Sequence, residues 1–376
     1  MIASGHARGL FKRRLLAWYD REKRDMPWRK SKDPYHILLS EFMLQQTQVQ
    51  TVIPYFERFI STFPTVKDLA DADLDDVLRL WEGLGYYTRA RNLHKAAAAI
   101  SDDFNERVPD TLAQLLSLPG FGPYTSAAVA SIAFQKPHAV LDGNIIRVLS
   151  RIGCVQEETN RPQVKTTLQT AADDLLNAKR PGDHNQAMME LGATICKPRQ
   201  ALCEQCPVRP HCLAEQRGLV AEIPRKTKPK PRPERVYAAL LIQKGDLWLI
   251  SRRKPEGLLG GLWEFPSVET AKRSHQEDLP DRVSETLQIR IDNVKPFRLV
   301  KHAYTHFSAV VHAYTTTWSS GRPASDDHDS HLWVDRVEIQ NYAYSRIARK
   351  LVDALTQDDV HDQIGINLLN LKEPTG

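Results

Sequence analysis

A chain of 376 residues is long enough for two or three domains, each with its own core, and its 41% hydrophobic content is that of an ordinary globular protein. No apolar run reaches the roughly 20 residues a membrane helix needs, and residues 1–10 hold no apolar stretch with a small-residue cleavage site, which argues against secretion and for a cytoplasmic location. The net charge of +5 suits a polyanionic partner without demanding one.

Between residues 13 and about 219, apolar side chains recur at three- and four-residue spacing, which predicts a helical region. Asp33-Pro34 makes a helix start, a capping side chain followed by proline at the first helical position, and Ile37, Leu38, Phe42, Met43 and Leu44 continue it. Another helix, expected from near Thr125, is built of small residues that let neighbouring backbones come close. Over 224–235 four prolines alternate with basic residues, a composition that favours an extended, solvated spacer. Beyond it, 236–242 and 247–250 flank Lys244-Gly245-Asp246 as a hairpin, 310–318 reads as a strand and 344–355 as a closing helix. The expected division is a helical region over 1–220, a basic linker over 221–235, an α+β domain over 236–365 and a mobile tail over 366–376.

Four of the five cysteines form the pattern Cys196-x6-Cys203-x2-Cys206-x5-Cys212. Clustered thiols in an intracellular chain point to a metal centre rather than a disulfide framework. Four thiolates admit either zinc, the commoner structural metal, or a four-iron cluster. Lys197, Arg199 and Arg209 make the loop basic, and Cys154 reads as a buried core thiol.

Three further stretches carry chemistry. In Leu118-Pro119-Gly120-Phe121-Gly122-Pro123-Tyr124-Thr125, two glycines allow a tight turn directly before a helix, whose first N–H groups can hold a phosphate. In Leu141-Asp142-Gly143-Asn144, the aspartate is a favoured helix cap, with Ile145, Ile146, Val148, Leu149 and Ile152 continuing an amphipathic helix. In Ser40-Glu41-Phe42-Met43-Leu44-Gln45-Gln46-Thr47-Gln48-Val49, Glu41 stands among apolar neighbours. There it either occupies a polar helix face or is buried with its charged form disfavoured.

Together with Met26-Pro27-Trp28-Arg29, Gly83-Leu84-Gly85-Tyr86-Tyr87 and Asn185-Gln186-Ala187-Met188-Met189-Glu190-Leu191-Gly192, these strings resemble the MutY adenine glycosylases over roughly residues 15–355. The resemblance implies a multidomain protein with an all-α helix-hairpin-helix core, an iron–sulfur loop and a C-terminal α+β Nudix-like domain. It implies one 4Fe–4S cluster on Cys196, Cys203, Cys206 and Cys212, because the six-two-five interval is that of the endonuclease III and MutY cluster loops. Gly120, Gly122 and Thr125 would then grip DNA backbone without reading sequence.

The same resemblance assigns roles. Glu41 takes the place of the catalytic glutamate and would protonate adenine at N7. Asp142 would stabilise the oxocarbenium-like sugar or trap it covalently, with Asn144 orienting that exchange and Tyr124 hydrogen-bonding near both carboxyls. Trp28, Arg29 and Gln186 would line the adenine pocket, Gln46 and Tyr86 would wedge or stack beside the opposite guanine to fill the gap, and Thr47 would join the residues that bind the substrate. Tyr124 stands where lyase-type relatives carry lysine, which implies little or no strand cleavage. The implied partner is double-stranded DNA with adenine opposite 8-oxoguanine or guanine, met by a monomer in a bacterial-type, nucleoid-associated setting.

Leu259-Gly260-Gly261-Leu262-Trp263-Glu264-Phe265-Pro266 resembles the opening of a Nudix fold. The stretch 275–289, however, holds only scattered acids (Glu277, Asp278, Asp281, Glu285) where a pyrophosphate hydrolase needs a magnesium-binding cluster, so a binding role is expected. Tyr304-Thr305-His306 matches the Phe-Ser-His loop with which MutY checks the opposite base, with a hydroxyl added to the ring. A lyase-type glycosylase for oxidised pyrimidines fits less well, given Tyr124 and the extra domain. A silent mismatch-binding module has no use for both Glu41 and Asp142, and a Nudix hydrolase fused to a helical domain fits least.

Overall fold

The computed structural model describes residues 4–227, 231–270 and 276–362, so part of the basic linker and the expected 366–376 tail lie outside it. Contacts divide the chain into two compact units, Met1–Ala72 with Arg89–Pro229, and Asp73–Thr88 with Lys230–Gly376. The described helices are α1 (Gly5–Glu22), α2 (Pro27–Lys30), α3 (Pro34–Leu44), α4 (Val49–Thr62), α5 (Val66–Asp71), α6 (Leu74–Trp81), α7 (Thr88–Phe104), α8 (Leu112–Ser117), α9 (Pro123–Phe134), α10 (Gly143–Gly153), α11 (Pro162–Leu175), α12 (Pro181–Thr194), α13 (Leu213–Gln216), α14 (Leu279–Leu287) and α15 (Arg346–Asp362).

The first unit is helical. α3 begins where Asp33 accepts a hydrogen bond from the Tyr35 N–H at 2.8 Å, with Pro34 at the first position. Tyr35 and every residue from 37 to 43 are buried, so α3 has no polar face and passes through the core. α9 begins at Pro123, two residues ahead of the expected start, because proline's fixed φ suits the first helical position. Its small residues bring α12 close: a Cβ added to Gly182 would lie 2.6 Å from the Ser131 carbonyl oxygen. Phe11, Leu15 and Tyr19 of α1 meet Val148, Leu149 and Ile152 of α10 and Met188 and Leu191 of α12 in one core. Burying each such side chain contributes about 2 kcal/mol. Cys154, αL at the end of α10, is buried beside Ala214 and Ile223.

The second unit is built on a sheet of β1 (Glu234–Lys244), β2 (Leu247–Arg253), β3 (Trp263–Glu264), β4 (Ser267–Thr270), β5 (Ile289–Ala303), β6 (Ser308–Gly321) and β7 (His328–Val334). The strand order is β3-β2-β1-β6-β5, with β4 paired to β1 and β7 to β2. β1 and β6 run parallel, and the other pairs antiparallel. The β1–β2 hairpin closes through Gly245 at φ 59°. Along β1 the burial alternates between faces: Ala238, Leu240 and Ile242 pack with α14, while Ala239 and Leu241 pack with α15. Both faces are covered, which is why the strand reads as a continuous apolar run.

Candidate active site

In the helical unit a cavity of about 170 Å³ is lined by eight of the expected site residues, Trp28, Arg29, Glu41, Thr47, Tyr124, Asp142, Asn144 and Gln186. Five helices from three regions of the sequence converge there: α2 and α3, α9 and the start of α10, and α12. Gln46 does not line the cavity; it is exposed, with φ 56°.

Glu41 lies on the all-buried α3 at 5% exposure, and its Oε2 has no hydrogen-bond partner among the described residues. Burial pushes its carboxyl up to about 7, with the neighbouring Asp142 charge adding to the rise and the Tyr124 hydroxyl and Arg29 opposing it. The Tyr124 hydroxyl also lies 3.2 Å from Met189 Sδ, and burial raises it far above the ordinary tyrosine value.

Asp142 caps α10, accepting from the Ile145 N–H at 2.7 Å on Oδ1 and from Asn144 Nδ2 at 3.0 Å on Oδ2. Burial raises its carboxyl above the usual aspartate value, while these hydrogen bonds and the Arg147 charge hold the rise back. The side chain caps the helix and lines the cavity at once, so the two readings of Asp142 are compatible. One protonated carboxyl and one carboxylate at a shared cavity can act as acid and charge stabiliser.

Arg29 is fixed from three sides. Its Nε donates to Gln186 at 3.1 Å, its Nη1 to the Arg24 carbonyl at 3.0 Å and its Nη2 to Glu190 at 3.0 Å. Glu190, 1% exposed, also receives Arg24 Nε at 2.6 Å. Burial pushes the Glu190 carboxyl up, and the two guanidinium groups outweigh it and leave it below its ordinary value. Trp28 is buried edge-on to Phe56, with ring centres 5.4 Å apart.

Gly120 turns the chain into α9 at φ 76°, where a Cβ would lie 2.5 Å from that of Asn92. Gly122 is the N-cap of α9, which leaves the first N–H groups of the helix facing outward from its positive end. Thr125 is buried, with its hydroxyl accepting from Gln45 Nε2 at 3.2 Å, so its side chain is turned into the unit and not to a phosphate at the surface.

Cys196, Cys203, Cys206 and Cys212 line a common cavity of about 30 Å³. Burial pushes the Cys206 thiol up to about 12, and the three other sulfurs add to the rise. Among the described residues no three His, Cys, Asp or Glu side chains are set to hold a single ion. The loop is tied to α10 by Arg147, which donates to the Cys196 carbonyl at 2.7 Å, and by Arg151, which donates to Cys196 Sγ at 3.2 Å and to the Lys197 carbonyl at 2.8 Å.

In the second unit the Tyr86 and Thr305 hydroxyls are 3.0 Å apart. Tyr304 packs its ring 4.8 Å from Phe307 and 4.6 Å from His302, while His306 is exposed.

Residues 39–173 match the HhH-GPD superfamily of base excision DNA repair proteins, and residues 237–354 match the NUDIX domain. An adenine DNA glycosylase of Rattus norvegicus is 36% identical over 91% of this chain and 77% of its own length. The chain belongs to the adenine DNA glycosylase family. A thermostable thymine-DNA glycosylase structure is 29% identical, with a TM-score of 0.52 over 57% of this chain and 99% of its own. An endonuclease III–DNA covalent intermediate shares the helical fold at 21% identity and a TM-score of 0.50, covering 58% of this chain and all of its own. This glycosylase is thus a helix-hairpin-helix enzyme with a C-terminal Nudix-like domain.

Several charged side chains that brace the glycosylase's helical unit escape a reading of the sequence. Glu190 and Arg24 pair across 166 positions, and neither has a local signal that announces the other. Arg147 and Arg151 are buried charges four apart on α10, a spacing that places both on one face. Arg89, also buried, donates to the Phe42 and Met43 carbonyls at the end of α3.

Proposed function

We propose that this glycosylase hydrolyses the bond between adenine and deoxyribose where adenine lies opposite 8-oxoguanine or guanine in duplex DNA, leaving the strand intact. The observation that carries the proposal is Glu41, a buried carboxyl raised to about 7 and sharing its cavity with Asp142. Adenine leaves as a neutral base only if it is protonated, and a carboxyl titrating near 7 is a competent acid at N7. As the C1′–N9 bond breaks and the protonated base departs as neutral adenine, ionised Asp142 offsets the positive charge on the sugar; water then adds at C1′ and loses a proton, leaving an abasic site.

The pocket side chains divide the remaining work. Arg29, held by Glu190, and Gln186, which accepts from Arg29, present fixed polar groups to the base, and Trp28 supplies an apolar wall. Extruding the base costs a few kcal/mol, less for a mismatch than for a proper pair. The outward N–H groups at the start of α9 suit a phosphate beside the flipped nucleotide. Tyr124 cannot form the amine–sugar adduct that nicks a strand, which supports hydrolysis alone.

The four cysteines fit a 4Fe–4S cluster: all four line one cavity, and burial disfavours the thiolates of Cys203, Cys206 and Cys212, which a metal centre would stabilise. Such a cluster would supply structure to the 196–212 loop, and with it the basic surface of Lys197 and Arg199. Tyr86, Thr305 and His306 would meet the base opposite adenine.

A duplex with one adenine opposite 8-oxoguanine tests the function. Breaks at that adenine only after hot alkali support a monofunctional glycosylase. Breaks without alkali contradict it, and tight binding without breaks favours a mismatch-binding module.

A further inference from the structure

The loop that follows α6 is bent into a conformation few side chains tolerate. Gly83, Gly85 and Tyr86 have φ of 97°, 73° and 49°, and a tyrosine there persists only where its surroundings over-determine it. Those surroundings come from the start of α15. Arg349 forks onto the carboxylate of Glu82, the C-cap of α6, with Nε to Oε1 at 2.5 Å and Nη2 to Oε2 at 3.0 Å. The Tyr344 N–H donates to the same carboxylate at 3.1 Å, and Arg346 Nη2 donates to the Gly83 carbonyl at 3.3 Å. The Tyr87 hydroxyl donates to the Tyr344 carbonyl at 2.9 Å. Held in this way, Tyr86 keeps 47% of its surface exposed while its hydroxyl meets that of Thr305 at 3.0 Å.

We infer that the Glu82–Arg349 pair positions Tyr86 against Thr305 and so sets the discrimination between bases opposite adenine. The inference rests on the reading that Tyr86 and Thr305 meet that base. 8-Oxoguanine differs from guanine by a donor at N7 and an acceptor at O8, so telling them apart requires hydroxyls at fixed positions. A planar guanidinium fork fixes orientation as well as distance. Loss of Arg349 takes two hydrogen bonds from Glu82, whose side chain is 16% exposed, and releases the turn that carries Tyr86. Glu82 and Arg349 are positioning residues, acting through Tyr86.

The test is single-turnover adenine excision opposite 8-oxoguanine and opposite guanine, with thermal melting, on full-length protein. Arg349→Ala is expected to lower the preference for 8-oxoguanine roughly tenfold while changing the rate opposite guanine by less than about threefold. Glu82→Gln, which keeps the shape and an acceptor for Tyr344, lowers the preference less, and it decides the matter if Arg349→Ala does not fold. Equal slowing on both substrates, or an unchanged preference in a variant that melts like the parent, overturns the inference. Tyr86→Phe and Thr305→Val separate the two levels. If neither alters the preference, the opposite-base reading of this loop falls; if they lower it and Arg349→Ala does not, only the positioning role falls.

Discussion

Asn144 donates its side-chain amide to Asp142 Oδ2 at 3.0 Å and accepts from Arg147 Nη2 at 2.8 Å on its own oxygen. The amide is therefore oriented by Arg147 and in turn favours the charged form of Asp142. Asn144→Ala is expected to raise the Asp142 carboxyl further and to slow excision about 10- to 100-fold, the equivalent of one hydrogen bond to a charged group. The acid limb of the pH–rate profile should move to higher pH, because Asp142 must be ionised to act. A profile that only drops, with its acid limb in place, would point to a steric effect instead.

Glu190→Ala removes the partner of two guanidinium groups at 1% exposure. Breaking a buried pair costs about 3 kcal/mol or more. The Glu190 carboxyl is held below its ordinary value, so the pair's contribution is present above about pH 4.5 and is lost as pH falls through the folded value. Denaturant unfolding should therefore show the full deficit of the variant at pH 7 and a shrinking one in acid.

Glu41 carries the opposite sign. Its carboxyl is raised from 4.5 to about 7, so the folded state holds the proton more tightly, and stability falls as pH rises through that window. Glu41→Gln removes the buried charge and is expected to stabilise the protein above pH 7, by up to about 3 kcal/mol, with little effect below pH 4.5. Melting curves at pH 5 and pH 8 check this.

Cys206→Ser is expected to lose bound iron, inorganic sulfide and visible absorption together, and to melt lower, because Cys206 shares its cavity with the three other thiols. Cys154→Ser, buried with Ala214 and Ile223 behind Cys212 and not lining the four-cysteine cavity, should keep all of the metal. Metal analysis that returns zinc without sulfide would contradict the cluster.

What the sequence revealed and what it hid follow from physical range. Asp142 as a cap, Pro34 as a helix start and Gly245 as a hairpin turn are local signals, legible because their causes lie within a few residues. Glu41 was ambiguous between a polar face and burial, and the packing of α3 on every side decided for burial. Glu82–Arg349, like Arg24–Glu190, joins residues whose proximity only the tertiary fold creates. The grouping of Asp73–Thr88 with the second unit has the same origin. Tyr304 packs with Phe307 and His302, a preference for aromatic contact that its place in a motif does not disclose.

The most direct test of Glu41 as the acid that releases adenine is the single-turnover rate of excision opposite 8-oxoguanine as a function of pH, for the parent and for Glu41→Gln. The parent rate should decline as pH rises past about 7, where the buried carboxyl loses its proton, and the variant should be slower by at least about 100-fold across the range. A variant that excises adenine at the parent rate, or a parent rate that climbs steadily from pH 6 to pH 9, would contradict the assignment.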